Sequence, residues 1–105
     1  MSHEVAEQIS GLASRVDNLV AHTTGQDCRT LETLQDRLEK LTLVLIAEDL
    51  DETAKDYDDA LAALQAANKE IGDGDHQIQQ IAATIKLIAK AADAAESLAK
   101  KAATL

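Results

Sequence analysis

The chain has 105 residues, enough for one compact domain and too few for two. A formal charge of −9 argues against nucleic acid and anionic membrane as partners, because both require basic patches. One aromatic residue (Tyr57), four glycines and no proline leave too few turns for an all-β or α/β fold. An all-α class with an aliphatic and alanine core is expected instead.

The first apolar series is Val5, Ile9, Leu12, Val16 and Leu19, which marks one stripe of a helix in heptad repeat, as in a coiled coil. Gly11 falls off that stripe. "HTTGQD" then stops the helix, with Gly25 as the turn residue and His22 near the helix C-terminus, where a cation is favoured. A second helix starts near Asp27 or Thr30 and carries Leu31, Leu34, Leu38, Leu41 and Leu45. A third series follows: Leu50, Ala54, Tyr57, Leu61, Leu64, Asn68 and Ile71. The step from Leu45 to Leu50 breaks the heptad phase and rotates the buried stripe around the axis. "IGDGDHQ" supplies Gly72 and Gly74 to end a helix, and Asp73 or Asp75 to cap the next. The last series is Ile78, Ile81, Ile85, Ile88, Ala92, Ala95, Ala99 and Ala102, bulky first and then alanine.

The join "AEDLDE" decides the architecture. It holds no Gly, Asn or Pro, the residues that tight reversals favour, whereas Gly stands at both other turns. The expectation is therefore one long central helix over about 27–71, on the order of 65–70 Å long. An N-terminal and a C-terminal helix run antiparallel to it, making an elongated single-domain bundle. The alternative is an up-down four-helix bundle with a reversal near 48–51, where Asp49 and Glu52 form a capping box. In the long-helix arrangement both flanking helices end against "LTLVLIA", residues 41–47, which is apolar on every side. Val44 and Ile46 are then both covered, Lys90 is level with Tyr57, and Lys100 is level with Ala47.

No pattern in the chain carries catalysis. Cys28 is the only cysteine, so no internal disulfide forms and a reducing, cytoplasmic setting is expected. His3, His22 and His76 lie in three separate places, without the paired spacing of a zinc site. "DGD" at 73–75 lacks the ligand run and closing glutamate of a calcium loop. Carboxylates three or four apart (Asp49 with Glu52, Glu52 with Asp56, Asp56 with Asp59) read as a solvated face. No catalytic residue, metal or cofactor is therefore assigned.

A rod two helices thick has a thin core, so a homodimer or a permanent protein partner is expected, with a basic protein as the complement to the acidic surface. The candidate interaction residues are Leu43, Val44 and Ile46 in the apolar stretch and Asp56 and Asp59 in the acidic run. Ala92, Ala95, Ala99 and Ala102 form a small-residue face that lets another helix approach closely. The expected function is a non-catalytic, acidic, helical protein–protein interaction module of the adaptor, secretion-chaperone or immunity and antitoxin type. A self-assembling structural oligomer and a carrier of a small ligand or metal are the alternatives.

Overall fold

The computed structural model describes residues 4–47, 54–72 and 81–104, the side chains of 102–104 excepted. Those residues form four helices and no strand: α1 Glu4–Ala21, α2 Gly25–Ala47, α3 Lys55–Gly72 and α4 Ile81–Thr104.

Each helix follows its apolar stripe. In α1 the buried Val5, Ile9, Leu12 and Val16 belong to the heptad series, and Glu4 and Glu7 place negative charge at the positive end of the helix dipole. Thr23 closes the other end, its Oγ1 donating to Leu19 O at 2.9 Å. Gly25 turns the chain with φ of 65°, a left-handed conformation that costs any residue with a Cβ. In α2 all five leucines of the expected series, Leu31 to Leu45, are buried. In α3 the stripe is turned: Tyr57, Ala60, Leu64, Ala67 and Asn68 are buried, while Leu61 is only partly so. In α4 the buried face is Thr84, Ile88, Ala91, Ala92, Ala95, Leu98 and Ala99, with Ile81 and Ile85 at its margin. Small residues are frequent where α3 and α4 meet, which allows close approach of the helices, and the buried face is wider than a strict heptad seam.

Helices α1 and α2 form one antiparallel hairpin, with Gln35 donating to Asp17 at 2.9 Å and Cys28 near Val20 O. Helices α3 and α4 form another, tied by an ion pair between Asp56 and Lys101. The hairpins pack with α1 on α3 and α2 on α4, which leaves α1–α4 and α2–α3 as diagonals. The molecule measures 41 × 21 × 17 Å with a radius of gyration of 13.4 Å.

This shape corrects the expected long central helix. An unbroken straight helix over 27–71 would measure about 66 Å, against a longest dimension of 41 Å. Helix α1 also packs on α3 as well as on α2, which a straight rod with flanking helices does not allow. The absence of Gly and Pro made a break look unfavourable, but burial of four apolar faces in one core outweighs the cost of a loop. The reversal placed near 48–51 falls in residues 48–53, outside the described residues. The α3–α4 register is corrected too. Lys101 meets Asp56, whereas Lys90 was expected beside Tyr57, and Lys100 pairs within its own helix with Glu96 at 3.5 Å.

One polar cluster joins the two hairpins. Asn68 is only 8% exposed, yet its amide is well satisfied. Oδ1 accepts from Arg15 Nη1 at 3.0 Å, and Nδ2 donates to Gln8 O at 3.0 Å and to Gln8 Oε1 at 2.8 Å. Gly11 makes room for the guanidinium, since a Cβ there would lie 3.1 Å from Arg15 Nη1. A single asparagine on an apolar seam rejects registers that leave it unpaired. Asn68→Ala should therefore lower stability by about 1–3 kcal/mol in urea unfolding. Asn68→Leu should retain most of the stability but admit a second α1–α3 register, visible as doubled amide resonances.

Candidate interaction surface

A helix turns about 100° per residue, so the seven residues "LTLVLIA" cannot all face one neighbour. Leu41 and Leu45 point into the core at 9% and 2% exposure. Leu43 points almost directly away from it and is 72% exposed, with Ile46 at 62% and Val44 at 40% on its flanks. These three are the exposed large hydrophobic residues among the described ones. Val44 and Ile46, expected to be covered by both flanking helices, are at the surface instead. The core takes only the inward stripe of α2, and α1 and α4 lie to its sides, so none of the described residues covers the outward one.

The patch continues into a groove between α1 and α2. Ile46 sits across from Ala6, Glu7 and Ser10, and Leu43 shares a wall with Thr42, Glu39 and Gln35 opposite Ser10, Ser14 and Asp17. The side of α1 facing this groove carries Ala6, Ser10, Ala13 and Asp17, all short side chains, so the trough is shallow and open. Its lining includes three carboxylates, from Glu7, Asp17 and Glu39, and no lysine or arginine.

The remaining candidate residues are dispersed. Asp56 is partly buried at the start of α3 and paired with Lys101, so it is engaged within the chain. Asp59 is exposed and lines a separate groove between α3 and α4 with Lys90 and Ala63. Ala92, Ala95 and Ala99 are 0%, 0% and 6% exposed and pack in the bundle's own core. The Ala102 side chain lies outside the described residues, as do His3, Asp49, Glu52, Asp73, Asp75 and His76. Cys28 Sγ is 3.4 Å from Glu32 Oε1, and His22 Nδ1 is 2.8 Å from Asn18 O at the end of α1. Among the described residues no three His, Cys, Asp or Glu side chains converge as a metal site, and no helix is long and apolar enough to cross a membrane.

Charge also holds α2 to α4. Arg37 donates to Asp93 at 2.8 Å and to Glu96 on the next turn. Hydrogen bonding from Arg37, then its charge and that of Lys100, holds the Glu96 carboxyl below its ordinary value of 4.5. Asp56 raises Lys101 above 10.5, first by hydrogen bonding and then by charge. A depressed carboxyl contributes stability above its unfolded pKa and loses it as pH falls through the folded one. The Glu96 contribution is thus complete above about pH 4.5 and vanishes in stronger acid; that of Lys101 is complete below its ordinary value and vanishes in strong base. Carboxyl-detected NMR should place Glu96 below 4.5, and Arg37→Met should move it upward.

The sequence alone did not reveal the Asn68 cluster or the carboxylates of the groove. The signal for the groove was present: Ala6, Ser10, Ala13 and Asp17 repeat at heptad spacing beside the leucine seam. No family model, curated protein or solved structure matches the chain.

Proposed function

We propose that this protein is a non-catalytic protein–protein interaction module that engages its partner through the outward face of α2. The observation that carries this is the exposure of Leu43, Val44 and Ile46 together, in a chain whose other large aliphatic side chains among the described residues are buried or partly buried. Contiguous apolar surface rimmed by polar groups marks interaction sites.

A photo-crosslinking amino acid placed at Leu43 or Ile46 in producing cells should capture one discrete second polypeptide. The same group at Ala83, exposed on α4, should not. Equal yields from all three positions would refute this function. A four-helix bundle with the chain reversing near 48–51 underlies the proposal, supported by the 41 Å length. Two glycines inserted after Asp49 should then cost little, about 1 kcal/mol or less, because lengthening a loop is cheap. Loss of cooperative melting would instead indicate continuous helix there.

A further inference from the structure

We infer that the occupant of the α1–α2 groove is a basic amphipathic helix, laid lengthwise with its apolar end over Leu43 and Ile46 and its cationic end beside Asp17 and Glu39. This rests on the interaction role proposed above and specifies the partner. The groove is graded along its length. Ile46 and Leu43 mark the more apolar end, where Glu7 is the one carboxylate, Ser10 lines both parts of the trough, and Glu39 and Asp17, which both accept from Gln35, form the more acidic end. From Ile46 to Gln35 the α2 wall runs about 16 Å at 1.5 Å per residue, three turns of a docked helix. Two antiparallel helices offer the usual cradle for a third, and the trough is shallow and open, so the occupant lies on the pair rather than sunk within it.

Charge selects the occupant. Three carboxylates and no lining cation attract lysine and arginine. A second copy of the chain brings the same carboxylates and a further formal charge of −9, so at neutral pH the two faces repel. An acidic or purely apolar helix leaves Asp17 and Glu39 desolvated without a counter-charge.

The test uses the full chain and a labelled model peptide of about 18 residues, long enough to form helix on binding. Its groove-facing side is leucine in one half and lysine in the other. Fluorescence anisotropy should show saturable binding that weakens as salt rises. Leu43→Ser with Ile46→Ser keeps the charge of −9 and should weaken binding at least tenfold. Asp17→Asn with Glu39→Gln should weaken it severalfold at low salt and flatten the salt dependence. Circular dichroism confirms that both variants stay helical. Unchanged affinity in the serine variant would overturn the inference, since binding would then follow net charge alone. A wild-type dimer in sedimentation that the serine variant abolishes, without peptide binding, would also overturn it and identify a second copy as the occupant. Crosslinking from 43 and 46 to a non-basic partner would reject the basic helix while leaving the interaction role standing; no adduct from either position would remove both.

Discussion

Leu45→Asp should unfold the protein, and Ile46→Asp, one residue along, should leave it almost unchanged. Leu45 is 2% exposed on the inward stripe of α2, where a carboxylate would have neither water nor a counter-charge. The cost exceeds about 4 kcal/mol, within reach of the entire stability of a domain this size, roughly 5–15 kcal/mol. Ile46 is 62% exposed, so an aspartate there stays hydrated, and its charge in the last turn of α2 costs no more than about 1 kcal/mol. Thermal melting followed by circular dichroism distinguishes the two directly. Equal, severe losses would mean that the whole stretch is covered. If Ile46→Asp also abolishes partner binding, its stability and its function are separated in one substitution.

Ala95→Leu should be the most damaging conservative change in α4. Ala95 is fully buried, at 0% exposure, in the part of the core built from Ala60, Ala67, Ala91, Ala92 and Ala99. Helices that meet through alanine have no space for three further carbons, so the backbones must separate or the leucine must leave its rotamer well. Overpacking of this kind costs about 1–3 kcal/mol, a fall in melting temperature of roughly 5–20 °C for a chain this short. Ala83→Leu is the control. It is exposed on the same helix, and leucine and alanine differ little in helix propensity. A small loss at both positions would show that the alanine face is not tightly packed.

Much of the core was legible in the residues. The seams of α1 and α2 are buried as the heptad spacing implies, Leu19 only partly, because a stripe that repeats every 3.5 residues has one way to leave water. Gly25 was identifiable as a turn because glycine tolerates a positive φ without strain. The alanine series of α4 was recognisable as a close-packing face. That its buried members pack within the chain depends on which helices become neighbours, and periodicity carries no such information.

The sequence by itself determined the helical class, the inward stripes of α1 and α2 and the net negative charge, since these follow from local periodicity and composition. Tertiary structure decided the rest. It folded the chain into a 41 Å bundle where a longer rod was expected, turned the α3 stripe toward Ala60 and Ala67, and set Asn68 between Gln8 and Arg15. It also decided which side of "LTLVLIA" meets water. A helix apolar on all sides does not specify how many sides its own chain will cover. That depends on how many helices fit around it, and here α1 and α4 cover its flanks while Leu43 remains outside.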